Sequence, residues 1–352
     1  VGARWDALVS LSTLWFPLAL WALWRLAEGL GREPREACVI AFTVLLNVPH
    51  FLMTASYTYL DPVERAHYRT RPFVYFVVPA LLLVVPWIYC ATVGPLLFVT
   101  AWTLFGEHHV ASQNLGFAAL YRKRNGEGDV ERSLDHLVFN SAWVTTVFAY
   151  GARPVEGTGL QFLARPAYSV PLESYGVILQ ALALFSITVF LLYLARQMQR
   201  AWRGLPVSIP KLLFMLTAWP SFIALPLFVH DAAILMVLRS GYHAVQYYAL
   251  VRLVQQRRWR ERDGGAPRGG AMNWLMALDP FVYWAGHVVM ALGIWFVTEV
   301  YATWPGLGNE LSLRYLFFPG IALAHFFLDG MIWRLGSPHA KATLVPFLGP
   351  HR

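Results

Sequence analysis

Ten apolar stretches of about 20 residues each run along the chain, each long enough to cross the hydrocarbon core of a bilayer as one helix. They lie at 7–25, 37–60, 72–92, 95–121, 134–151, 175–195, 211–229, 231–253, 279–301 and 315–335. The division inside 211–253 rests on a break near His230 and Asp231. This pattern predicts an all-α, polytopic transmembrane helical bundle of ten spans. Only 14% of the residues are charged, against about 25% in soluble domains. Fifteen Trp and sixteen Tyr add the aromatic signature of membrane interfaces.

Loop charge orients the bundle. With the N-terminus inside, the inner segments hold 21 Lys and Arg and the outer segments six, while Arg239 falls within a span. Positive charge collects on the cytoplasmic side of membrane proteins, so both termini are expected there. The net charge of +8 therefore reads as a topology signal and not as a nucleic-acid footprint. Residues 1–352 read as a single integral membrane domain with a retained first span, since no small-residue cleavage site follows it. The stretch 254–278, with "RRWRERDGGAPRGG", is expected to be a mobile basic cytoplasmic loop. The two cysteines, Cys38 and Cys90, sit near outer span ends, as buried thiols or a disulfide, and form no Cys-x-x-Cys pattern.

Histidines lie inside the spans at one level. At 1.5 Å per residue, His50 stands about 16 Å from the inner end of its span, His243 and His325 about 14 Å, His109 about 20 Å and His287 about 12 Å. Ionisable groups at such depth are costly and usually face the bundle interior. A single one reads as an interhelical hydrogen bond, or as part of a proton path. Five on different helices point to a shared metal site, because neutral imidazoles crowd without repulsion and each offers a lone pair.

Helical spacing selects the partners. His109 and Gln113 share a face at i,i+4, while His108 is turned by 100° and Glu107 lies about 160° from His109. His243, Gln246 and Tyr247 share a face, as do His325 and Asp329, whose carboxylate can orient the imidazole or ligate. Pro49 kinks the helix before His50, and Asn47 lies one turn earlier as a supporting group. The ligand set expected from the residues is His50, His109, His243 and His325, with His108 and His287 next. Asp329, Glu107 and Tyr247 are the candidate reactive groups, and Asn47, Gln113 and Gln246 the supporting ones. A His-rich set without thiolates suits Fe(II), with Zn as the alternative. Iron at this depth implies O2 chemistry on a long apolar substrate, since both dissolve in the bilayer.

The motifs "VPHFLMTASYTYLD", "EHHVASQNLG", "YHAVQYY" and "AHFFLD" are scattered over most of the chain. Together they resemble the Brp/Blh-type bacterial membrane β-carotene 15,15′-dioxygenases, whose histidines on separate helices bind one iron. The resemblance implies carotenoid cleavage to retinal in the bacterial cytoplasmic membrane. The chain departs from that pattern where a paired-His motif has become His243 with Tyr247, and where the acid after His50, Asp61, is eleven residues on. A lipid or hydrocarbon oxygenase or desaturase is the neighbouring reading. A proton- or ion-coupled transporter would use the same histidines as a relay, with Glu107, Arg239, Glu299 and Asp329, and with Arg239 and Glu299 as a pair.

Overall fold

The computed structural model of the chain describes residues 11–31, 33–92, 95–151, 172–229, 232–263, 279–302 and 313–348. Among these residues there are helices and turns and no strand. Each of the ten apolar stretches contains a helix among its described residues. In chain order these are α1 (Ser12–Gly29), α2 (Pro34–Leu60), the short α3 (Pro62–Arg69), α4 (Phe73–Thr92) and α5 (Pro95–Arg124). They continue as α6 (Asp129–Gly151), α7 (Leu172–Trp202), α8 (Ile209–Phe228), α9 (Ala232–Asp263), α10 (Pro280–Ala302) and α11 (Leu313–Ile332). Two short helices, α12 (Pro338–Thr343) and α13 (Val345–Leu348), follow. Helix ends at Phe228 and resumes at Ala232, so the division expected inside 211–253 falls there.

Among the described residues, three helical segments, Pro34–Leu60, Gly176–Trp202 and Pro280–Val297, are long and apolar enough to cross a membrane. A fourth joins them if α3 and α4, bent by 114°, count as one span. Others carry polar groups within their apolar runs, as α5 does with Glu107, His108, His109, Gln113 and Asn114.

Chain contacts group the residues into two units, each taken by itself. One comprises residues 40–98 and 244–352, and the other residues 2–39 and 99–243, apart from the terminal Val1. In the first, α11 packs on α4 and α2, and α10 packs on α2 and α11. The α11–α4 contact is close at Gly320, where a Cβ would stand 2.8 Å from the carbonyl oxygen of Leu83. In the second unit α6 packs on α7 and α8, and α8 on α1.

Two prolines shape the first unit by the same device. Pro49 has no N–H for the carbonyl of Leu45, and Pro79 none for that of Tyr75. Each is preceded by a turn of π-helix, Thr43–Asn47 and Phe73–Val77, in which Val48 and Val78 bond five residues back, to Thr43 and Phe73. Aromatic side chains satisfy the two released carbonyls: the Trp284 indole donates to Leu45 at 2.9 Å, and the Tyr59 hydroxyl to Tyr75 at 2.7 Å. Such bulges re-aim the residues that follow them, and the residue after Pro49 is His50.

The expected loop from residue 254 is corrected at its start. Helix α9 runs on to Asp263, and 264–278 lie outside the described residues. The physical reason is ion pairing. Arg258 is buried and donates to Asp61 at 3.2 Å, to Glu64 at 2.7 Å and to the Thr343 carbonyl. A basic residue with two carboxylates of its own does not need a solvated loop. Asp61 also caps α3, accepting from the Val63 amide at 2.9 Å.

Candidate metal centre

In the first unit α2 and α11 bring two imidazoles together, their ring planes at 87° to each other. Nε2 of His50 lies 3.2 Å from Nε2 of His325, and both residues are buried. Two nitrogens at this separation either share one proton or face one cation. Imidazole nitrogens about 2.1 Å from a common metal, at angles between square and tetrahedral, stand roughly 3.0–3.4 Å apart. The pair therefore fits a single ion between them.

The back of His325 is held by polar groups from three helices. Its Nδ1 lies 2.7 Å from the Thr54 hydroxyl, which is 3.1 Å from Asp329 Oδ1 and 2.6 Å from the Tyr247 hydroxyl. Tyr247 donates to Asp329 Oδ1 at 2.8 Å. With the proton on Nδ1, His325 donates to Thr54, Thr54 donates to Asp329, and Nε2 keeps its lone pair toward His50. Metal-binding imidazoles are generally oriented in this way by the group behind them. Asp329 stands 3.7 Å from Nδ1, so Thr54 bridges the carboxylate to the ring. On the other side the Phe51 ring covers both imidazoles, 4.3 Å and 4.9 Å away.

Thr54 was not marked by the sequence reading, although it lies at i+4 from His50 and so shares its face. His287, expected near the ligands, is engaged elsewhere in this unit. Its Nε2 meets the Ser56 hydroxyl at 2.9 Å and its Nδ1 the Tyr283 carbonyl at 2.9 Å. Gln246 is buried, and Asn47 lies in the π turn before His50.

The second unit holds the remaining candidates. The rings of His109 and His243 meet edge to face at 4.8 Å, and Gln113 donates to the His243 carbonyl at 3.1 Å. His108 is exposed and lies against Trp143, so of the adjacent histidines His109 is the one brought to another imidazole. Glu107 forms a 2.5 Å ion pair with the fully buried Arg239, whose guanidinium lies 3.9 Å from the Phe222 ring centre. Arg239 thus pairs with Glu107 on α5; the side chain of Glu299, its expected partner, lies outside the described residues. Cys38 is a buried free thiol, and the Cys90 side chain is outside the described residues.

No protein-family model, curated protein or solved structure matches the chain.

Proposed function

We propose that the protein is a membrane-embedded, histidine-ligated metal oxygenase acting on a long apolar substrate. The observation that carries this reading is the buried His50–His325 pair, its two Nε2 atoms 3.2 Å apart. Iron(II) held by imidazoles with open positions supplies dioxygen activation. Around it Thr54 and Asp329 fix the His325 tautomer, Tyr247 donates a proton toward Asp329, and Phe51 keeps the front of the pair apolar. The expectation that His109 and His243 serve the same ion comes from their depth in the sequence. Carotenoid cleavage to retinal is the first substrate assignment, and a lipid or hydrocarbon oxygenase or desaturase the second.

The decisive measurement is metal content, in protein purified without chelator and after addition of Fe(II). Single His50→Ala and His325→Ala variants should each lose iron. One ion serving all four histidines requires the same loss in His109→Ala and His243→Ala. Zero iron in the wild type would overturn the metal reading. Expression in a bacterium that accumulates β-carotene should bleach the cells and yield retinal, and colour that persists with iron bound would move the assignment to other apolar substrates.

The Glu107–Arg239 pair favours a second reading, a proton- or ion-coupled carrier, since charge buried at membrane depth often marks a transport path. Solute-coupled proton uptake by proteoliposomes, without bound iron, would establish it. Ten crossings of the bacterial cytoplasmic membrane with both termini inside complete the proposal. Reporter fusions within 155–170 should read outside and within 264–270 inside, and the same side for both would overturn the topology.

A further inference from the structure

Three aromatic rings run from the paired histidines to the charged corner where α2 meets α3. The Tyr247 ring lies 5.4 Å from that of His325 and 5.8 Å from that of His50. Trp333 lies 6.0 Å from Tyr247 and stacks on Tyr57 at 5.7 Å and 25°. These centroid distances are those of rings in or near contact. Both phenols end on carboxylates: Tyr247 donates to Asp329 Oδ1 at 2.8 Å, and Tyr57 to Glu64 Oε1 at 3.1 Å. Glu64 in turn meets Nε2 of His339 at 2.8 Å, and that side chain is 24% exposed. A buried phenol needs only some acceptor. A carboxylate at each end of a Tyr–Trp–Tyr run adds something else, a base placed to take the phenolic proton when the ring loses an electron.

We propose that Tyr247, Trp333 and Tyr57 form a one-electron path that carries an oxidising equivalent away from the histidine pair toward the surface at His339. The proposal rests on the metal reading above. Tyrosine and tryptophan yield an electron only to strong oxidants, such as peroxide-class products of dioxygen, so the path is idle in ordinary turnover. It works when dioxygen is activated with no substrate in place. Tyr247 then gives one electron to the oxidant and its proton to Asp329. Trp333 supplies an electron to Tyr247, which recovers its proton from Asp329. Tyr57 supplies an electron to Trp333 and passes its proton to Glu64. A thiol reductant restores Tyr57 with one electron, Glu64 returns the phenolic proton, the thiol's own proton is released to solvent, and two thiyl radicals couple to a disulfide. The net effect spares the histidines from oxidation.

The test uses full-length, iron-loaded protein treated with hydrogen peroxide and a nitrone spin trap, without organic substrate. Iron content is measured first, and trap adducts are then mapped by mass spectrometry. The wild type should carry adduct on Tyr57. Trp333→Phe should keep its iron, lose the Tyr57 adduct and gain adduct on Tyr247. Trp333→Tyr, which restores an oxidisable ring of similar size, should recover it. Iron-loaded wild type without Tyr57 adduct, or Trp333→Phe with an undiminished one, would overturn the path and leave the metal reading standing. Absence of bound iron would overturn both.

Discussion

The Thr54 hydroxyl lies 2.7 Å from Nδ1 of His325, on a helix 271 residues further along the chain, while His50, one turn before Thr54, faces Nε2 of the same ring. Helix α2 thus holds both sides of one imidazole. Removing the hydroxyl leaves Nδ1 without this partner and frees the ring to turn. Groups behind a metal-bound histidine are typically worth about 10–100-fold in affinity. Thr54→Val should therefore weaken iron binding by about that factor while the fold persists, and Thr54→Ser should restore most of it. A competition titration against a chelator of known affinity measures both.

Trp284 and Pro49 are coupled in the same manner through the Leu45 carbonyl. Trp284→Phe keeps an aromatic ring but removes the donor to the Leu45 carbonyl, and a hydrogen bond of this kind contributes about 0.5–1.5 kcal/mol. Pro49→Ala supplies the missing amide and allows the π turn to revert to α-helix, which changes the rotation of the preceding segment relative to His50. The expected result is a lowered detergent-solution melting temperature for Trp284→Phe with iron retained. For Pro49→Ala the expected loss is in iron binding, with little loss of stability. Equal melting temperatures for Trp284→Phe and wild type would show that the indole bond contributes nothing.

Much of this arrangement was legible in the sequence, and the limits are instructive. The depth of His50 and His325 and the i,i+4 step to Asp329 singled out three side chains that the structure brings together, because helical rise and rotation are fixed quantities. Thr54 went unmarked because hydroxyls inside membrane helices commonly bond their own backbone, as Thr58 does to the Thr54 carbonyl at 2.7 Å. Tyr57 and Trp333 were invisible among 15 Trp and 16 Tyr. The helical course of 254–263 was missed because the partners that neutralise Arg258, Asp61 and Glu64, are 197 and 194 residues away. Periodicity reports a helix face and not its neighbour.

Glu107 and Arg239 supply a prediction that separates structure from transport. The pair is buried, with the guanidinium of Arg239 at 0% exposure. Taking one partner away leaves an uncompensated charge, which typically costs about 3–5 kcal/mol, whereas replacing both by apolar residues is often near neutral. Glu107→Gln should lower the melting temperature sharply. The double variant Glu107→Leu with Arg239→Met should recover most of that loss and keep iron. A carrier that depends on the pair would recover stability in the double variant but no uptake, so measuring uptake beside melting decides between the two roles.

The corner around Glu64 predicts how stability follows pH. Burial alone would raise the Glu64 carboxyl, but its hydrogen bond from His339 and the charge of Arg258 hold it down at about 2. An unfolded glutamate titrates near about 4.3, so between these values the unfolded chain binds more protons than the folded one. The contribution is therefore complete above about pH 4.3 and is lost as pH falls toward about 2. A gap of about two units corresponds to on the order of 3 kcal/mol. The melting temperature of the wild type should fall as pH is lowered through this window. Glu64→Gln, which cannot ionise, should melt lower at about pH 6 and vary less below it. His339→Ala should show the intermediate case, since Arg258 still stands 2.7 Å from Glu64 when the histidine is gone. A Glu64→Gln curve as steep as that of the wild type would place the acid sensitivity on another carboxylate.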